Sequence, residues 1–206
     1  MQSMKSSFYF EPDKQELLEK YIIILKQYQK KINLIGNSTI CNLWQRHIVD
    51  SAQVFALLPK EKKNCFLIDV GTGAGFPGLV LAIMGRKDVF LCEKSKKKAF
   101  FLKEAKQACG VRALIINERI ENVKLRNCSI IVSRAFSSLN KLLISTMHLM
   151  TKDTIFFVHK GKKYKDEVEE AKKNFTFAVD YYESVTSYEG KIVRVKNIRK
   201  KANEFD

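Results

Sequence analysis

The sequence predicts an α/β fold in which a mostly parallel, seven-stranded sheet ends in an antiparallel hairpin and is preceded by N-terminal helices. Three observations lead there. Five short β-rich runs, CFLIDV, DVFLCE, VRALIIN, CSIIVSR and DTIFFVH, alternate with helical segments from residue 65 onward, as parallel strands joined by crossover helices do. Two further runs, FTFAVDYYESV and KIVRVKNI, are separated only by TSYEG, too few residues for a helical crossover, so they pair antiparallel. Before residue 60 the strand pattern is missing and apolar residues recur at helical spacing.

Taken in order, the first element is an amphipathic helix over residues 17–32, with Leu17, Leu18, Tyr21, Ile24, Leu25, Tyr28 and Ile32 on one face. A second helix over residues 40–58 carries Leu43, Trp44, Ile48, Val49 and Phe55 and stops at Pro59. The strand FLIDV follows, then a glycine-rich loop. After the second strand, Ser95 can cap a helix whose inner face is Ala99, Phe100, Leu102 and Ala105, and Gly110 can end it in the left-handed conformation. The expected organisation is one domain over residues 1–206, a helical cap over 1–60 on a sheet core over 61–206.

Composition narrows the partners. Lys plus Arg number 37 against 22 Asp plus Glu, a formal charge of +15, while 46% of residues are hydrophobic. A folded protein with that excess attracts polyanions without choosing among RNA, DNA and acidic membrane. The five cysteines are odd in number and none is spaced CxxC, which argues against zinc and a disulfide framework and for reduced, mostly buried thiols. No metal is expected. The N-terminus lacks the pattern of a signal peptide, and the longest uncharged stretch, residues 70–85, is glycine-rich and too short to span a bilayer. A soluble, cytoplasmic protein with no membrane partner is the expectation.

Residues 68–78 read IDVGTGAGFPG, four glycines within eight residues after a carboxylate. Glycine belongs where the backbone turns sharply or a ligand comes close. Gly73, Gly75 and Gly78 fit the dinucleotide fingerprint GxGxxG, whereas Asp69, Gly71, Gly73 and Gly75 form DxGxGxG. If the strand is FLIDV, the first turn glycine is Gly71, which favours the second pattern. A carboxylate at the strand end repels a pyrophosphate and attracts a cationic amino-acid moiety. S-adenosyl-L-methionine, with a positive amino group and sulfonium, fits better than NAD. Glu93, at the end of the next strand, stands where an acid accepts ribose hydroxyls in both cofactor classes.

The stretches NLIGNSTICNLWQRHIVDS, IDVGTGAGFPGLVLAI, INERIENV, IVSRAFSSL and VHKG resemble, in order, the motifs of the bacterial small-subunit ribosomal RNA guanine-N7 methyltransferase G family, also called glucose-inhibited division protein B. The resemblance implies a Rossmann-like class I methyltransferase fold, S-adenosyl-L-methionine as donor, and methylation at N7 of guanosine 527 in the 530 loop of 16S rRNA. It implies 16S rRNA or the small ribosomal subunit as partner, the choice between them open, and a monomer is the expectation. Position by position it places cofactor contacts on Gly71, Phe76, Ile120, Glu121 and Arg134, beside the Asp69, Gly73 and Glu93 of the loop argument. Many members have a small residue where this chain has Ile120, and the turn EKSKKK is more basic than usual.

The N7 atom of guanine has a free lone pair and no proton, so methylating it asks for positioning rather than a general base. The expected catalytic residue is Arg134, which can donate to the guanine or to the cofactor carboxylate, or else ion-pair with Glu121. Arg46 and His47 of RHIVDS, with Lys96, Lys97 and Lys160 from the lysine clusters at 94–98 and 160–165, are the expected RNA contacts. His47 and Asp50 share a helix face at i, i+3, where a plain surface hydrogen bond is the alternative. Phe76, Phe136 and Tyr164 are candidates for stacking on a flipped base. An NAD-dependent oxidoreductase, a non-catalytic RNA-binding module and a methyltransferase with another acceptor remain as competing readings.

Overall fold

The computed structural model describes residues 8–60 and 66–202. Seven strands, β1 (Leu67–Val70), β2 (Val89–Cys92), β3 (Leu114–Ile116), β4 (Cys128–Arg134), β5 (Met150–Lys160), β6 (Phe175–Glu183) and β7 (Lys191–Lys200), form one sheet. Its order is β3-β2-β1-β4-β5-β7-β6. The first five run parallel, and β7 inserts antiparallel between β5 and β6. All four residues of β1 are buried, as expected of a central strand covered on both faces. The chain reverses its direction of winding between β1 and β4, and ligands of open α/β sheets bind at the carboxyl ends of strands at such a point.

The helical cap shares a buried core with one face of this sheet. Helix α1 (Pro12–Gln29) begins earlier than the apolar pattern, with Pro12 in its first turn, and buries Leu18, Tyr21 and Leu25. It ends before Ile32 because the Gln29 side chain turns to the following loop, accepting from the backbone N–H groups of Leu34 and Ile35 at 2.9 and 3.0 Å. Tyr21, fully buried, donates its hydroxyl to the carbonyl of Ala74 in the glycine loop. The cap and the loop therefore share one core, with Tyr21 5.6 Å from the Phe76 ring and 6.4 Å from that of Phe101.

The single helix expected over residues 40–58 is instead a relay of short turns. A 3-10 stretch (Asn37–Asn42), a π-helical turn (Trp44–Val49), the short α2 (Asp50–Ala52) and a second 3-10 turn (Phe55–Leu57) follow one another. π-Helical turns shift side chains off the 3.6-residue register and are found at functional sites. Here the turn brings Arg46 and His47 to the strand ends. The remaining helices are α3 (Gly78–Ile83), α4 (Lys96–Ala108), α5 (Leu139–Thr146) and α6 (Tyr164–Asn174). Ser95 caps α4, accepting from Lys98 N at 3.4 Å, and Gly110 after it takes φ +63°. The inner face of α4 is corrected by one position: Phe101 is fully buried and Phe100 is 55% exposed.

Cys92, Cys109 and Cys128 are buried, free thiols and Cys41 is exposed; Cys65, and residue 61 where the sheet core was expected to begin, lie outside the described residues. Among the described residues no helix is long and apolar enough to cross a membrane.

Candidate active site

Asp69 builds the glycine loop from below. Its side chain is fully buried, and Oδ2 accepts from the Thr72 hydroxyl at 2.5 Å and from the Gly78 N–H at 2.7 Å, while Oδ1 has no partner. Burial pushes its pKa up to about 7, against the lowering effect of those two bonds and of Arg134. Asp69 thus closes the start of α3, where a pyrophosphate would seat in a dinucleotide-binding protein. It does not line the cavity above, so a direct contact with a cofactor amino group, expected from the sequence, is not what this geometry offers.

Gly71, Gly73 and Gly75 hold φ values of +68°, +60° and +100°, a region side chains avoid. A Cβ on Gly71 would fall 2.8 Å from the Phe136 ring. Above these turns lies a cavity of about 300 Å³ whose wall includes Gly71, Gly73, Glu93, Ile120, Glu121 and Phe136. Five of the sequence-predicted cofactor residues meet there. The Glu93 carboxylate, at the end of β2, accepts from Gly73 N at 3.0 Å and from Ser95 N at 2.8 Å, which fixes it facing the loop. Ile120 is buried at the wall. Glu121, held below the ordinary carboxylate range first by its own backbone N–H, bonds the Ser145 hydroxyl at 3.1 Å.

A second cavity, of about 370 Å³, opens between the cap, the ends of β4 and β5, and the β6–β7 connection. Ala135 lines both cavities. It takes φ +56°, a strained value for a residue with a side chain, and the turn it makes sends Arg134 to the second cavity and Phe136 to the first. Arg134 does not pair with Glu121. Its Nη1 donates to Asp50 Oδ2 at 3.2 Å and to the Arg46 carbonyl at 3.0 Å, Nη2 bonds His47 Nδ1 at 2.7 Å, and the guanidinium lies 4.8 Å from the centre of the Phe76 ring.

His47 is buried beside that charge. Burial, then Arg134, lower its pKa to about 4, and its Nε2 bonds Thr39 Oγ1 at 2.8 Å. The i, i+3 contact with Asp50 does not form; Arg134 links them. Asp50 is a hub that the sequence marked only as a neighbour of His47. Its Oδ1 accepts from Gln53 Nε2 at 2.9 Å and from the Thr186 hydroxyl at 2.7 Å. Burial alone would raise its pKa, but His159, Thr186 and Arg134 hold it below the usual value. Of the side chains around it, His159 lies in VHKG, a stretch the sequence had marked, whereas nothing in the sequence pointed to Gln53 or Thr186.

The predicted RNA-contacting residues separate. Arg46 is exposed at the second cavity. Lys96 and Lys97 are exposed on the first turn of α4, away from either cavity wall, whereas Lys94 and Lys98 line the first. Lys160 is corrected: its side chain is 8% exposed, and its ammonium donates to Glu167 Oε2 and to the Ser137 carbonyl, each at 2.6 Å. It fastens α6 and the β4–α5 turn to β5 and is not free to follow a phosphate chain. Phe76 is 3% exposed and packed against His47 at 4.9 Å, so it is no stacking platform.

A family model for rRNA small subunit methyltransferase G matches residues 14–196. The chain belongs to the rRNA small subunit methyltransferase G family. It is 40% identical over 185 residues to the ribosomal RNA small subunit methyltransferase G of Rickettsia rickettsii (strain Sheila Smith), covering 90% of this chain and 95% of that one, and equally so to that of Rickettsia prowazekii (strain Madrid E). Solved structures share the fold. TYW2 of M. jannaschii in complex with AdoMet superposes with a TM-score of 0.56 at 13% identity, covering 84% of this chain and 80% of that one. The ribosomal protein L11 methylase of Lactobacillus delbrueckii subsp. bulgaricus gives 0.55 at 16%, covering 74% and 77%. The member of the G family described here thus has the Rossmann-like sheet of S-adenosylmethionine-dependent methyltransferases, seven strands with the terminal hairpin included.

Proposed function

We propose that this chain transfers a methyl group from S-adenosyl-L-methionine to N7 of a guanosine in the 530 loop of 16S rRNA. The observation that carries the reading is the pair of cavities meeting at Ala135, one walled by the glycine loop and Glu93, the other by Arg134 and basic residues. The first fits the donor. Its helix start is already filled by Asp69, which disfavours the pyrophosphate of NAD, and Glu93 faces it as an acceptor for ribose hydroxyls. Gly71, Gly73, Glu93, Ile120 and Glu121 would hold the cofactor, which when bound supplies an electrophilic methyl group on a sulfonium.

The second cavity is the acceptor side. A group that must lose a proton to react, such as a ribose hydroxyl, would need a base there. His47 offers none, because Nδ1 is taken by Arg134 and Nε2 by Thr39. Asp50 is held by Arg134, Gln53 and Thr186, and His159 has Nε2 on the Asp50 carbonyl and Nδ1 buried out of reach of an incoming group. Guanine N7 needs no base, and Arg134 carries the donors suited to the O6 acceptor beside it. Catalysis is then orientation, with Arg134 as the residue that touches the base.

The test is transfer of labelled methyl from S-adenosylmethionine to small ribosomal subunits, and separately to naked 16S rRNA, that lack N7-methylguanosine in the 530 loop. The modified base is mapped by chemical cleavage. Label confined to one N7-methylguanosine is the expected result. Cofactor binding with no label in either substrate would move the acceptor elsewhere.

A further inference from the structure

We propose that the β6–β7 connection, residues 184–190, is a stacking platform on which Tyr188 receives an unpaired RNA base adjoining the acceptor cavity. This rests on the RNA-methyltransferase reading of the site. Tyr188 is 98% exposed, the most exposed large hydrophobic residue among those described. Its ring therefore adds nothing to the core, yet the chain carrying it is firmly placed. Val185 N donates to Gln53 Oε1 at 3.0 Å and the Thr186 hydroxyl to Asp50, both on the cap. Ser184, Thr186, Ser187 and Gly190 line the second cavity. Tyr188 thus stands at the rim of the acceptor side on a connection tied to the same carboxylate that holds Arg134.

The charge around it suits a phosphate chain. Arg46 is exposed at the cavity wall, and Lys165, also exposed, lies 6.0 Å from the Tyr164 ring. The two acids of the connection's flanks are matched, Glu189 by Lys162 at 3.4 Å and Glu183 by Lys191, so they do not leave the rim negative. Aromatic rings beside cations form the sequence-tolerant footprint of single-stranded nucleic acid. Other rings are committed elsewhere: Phe136 packs against Gly71, and Tyr164 meets Tyr181 edge-on at 5.2 Å. Of these three rings only that of Tyr188 stands free of such contacts, 98% exposed.

Two readouts test this, with the wild type, Tyr188→Ala and Tyr188→Trp. The first is quenching of 2-aminopurine placed, in turn, on either side of the target guanosine in a short single-stranded oligoribonucleotide of 530-loop sequence. The second is KM for small subunits in the methyl-transfer assay. Tyr188→Ala is expected to abolish quenching at one position and raise KM about tenfold, the scale of one lost base stack, and Tyr188→Trp to restore both. Equal quenching by wild type and Tyr188→Ala, or no quenching by either, overturns the proposal. So does a KM effect confined to assembled subunits with quenching of the oligonucleotide unchanged, since that assigns Tyr188 to a subunit protein. If the wild type transfers no methyl while quenching still depends on Tyr188, the platform stands and the enzymatic reading falls.

Discussion

His47 shows how a residue can serve an arginine without touching the substrate. An arginine only donates, so the His47 nitrogen facing it, Nδ1, must accept, and the proton sits on Nε2 toward Thr39. Its low pKa follows from burial and from that neighbouring charge. Asparagine places an amide oxygen near the Nδ1 position, and glutamine places its amide near Nε2. His47→Asn should therefore keep turnover within about threefold, and His47→Gln should lose roughly 10- to 100-fold, the cost of misplacing an orienting group. Affinity for S-adenosylmethionine should change in neither. Equal turnover in both variants would remove His47 from the aiming of Arg134. The motif RHIVDS made His47 visible in the sequence, but its partner lies 87 residues away, a distance over which side-chain spacing carries no information.

Asp69 makes a pH prediction of definite sign. Its pKa rises from 3.8 to about 7 on folding, so the folded chain keeps a proton that the unfolded chain releases. That stability is complete below about pH 3.8 and is lost as pH rises through about 7. His47 acts oppositely, since its pKa falls from 6.5 to about 4; its contribution is present above pH 6.5 and is lost as pH falls toward 4. The two overlap in the wild type, and only the first vanishes in Asp69→Asn. The melting temperature of the wild type minus that of Asp69→Asn should decline between about pH 4 and about pH 7 and level off above that. A flat difference would mean that Asp69 stays ionised in the fold. The sequence placed this acid at the strand end correctly, but with a carboxylate directed at a ligand; its burial became apparent only with Gly78 packed against it.

At the scale of elements, β1, the glycine loop and α3 form one unit whose tightness depends on Gly78. A Cβ there would stand 2.5 Å from Leu91 Cδ2 and 2.7 Å from Asp69 Cβ, both on fully buried residues. Gly78→Ala should cost about 1–3 kcal/mol in urea unfolding, the usual penalty for overpacking, and weaken cofactor binding, because the same shift moves the loop. Native stability in that variant would show that the sheet can yield at β1. The alternation of strands and helices was readable because parallel strands buried on both faces are continuous apolar runs. Strand order within the hairpin was not. Pairing of β6 with β7 follows from a short turn, but which of the two lies inside depends on which suits β5, and β7 wins with Ile192, Val193 and Val195 buried. Six residues of π-helical turn likewise cannot be told from an α-helix by periodicity, and neighbouring Phe100 and Phe101 left the face of α4 ambiguous by one position.

For the whole molecule, a charge of +15 acts differently on the two ligands of the proposed reaction. RNA binding displaces condensed counterions, so its affinity should fall linearly in a log–log plot against salt, with a slope of about −3 to −4 for roughly four to six phosphate contacts. S-adenosylmethionine has no phosphates, and its binding should be nearly flat over the same range. The lysines differ in what they contribute. Lys160, Lys172, Lys173 and Lys191 are paired with acids in the fold, and such pairs offer little to a polyanion. Lys96 and Lys97 have exposed ammonium-bearing side chains with no acid partner within ion-pair distance among the described residues. Replacing both with glutamine should therefore reduce the slope by about 1 to 2, while Lys172 and Lys173 changed the same way should leave it as it was. Salt titrations of both double variants would decide this. A slope that fell equally in the two would mean that net charge governs RNA binding, and that the placement of lysines around the strand ends does not.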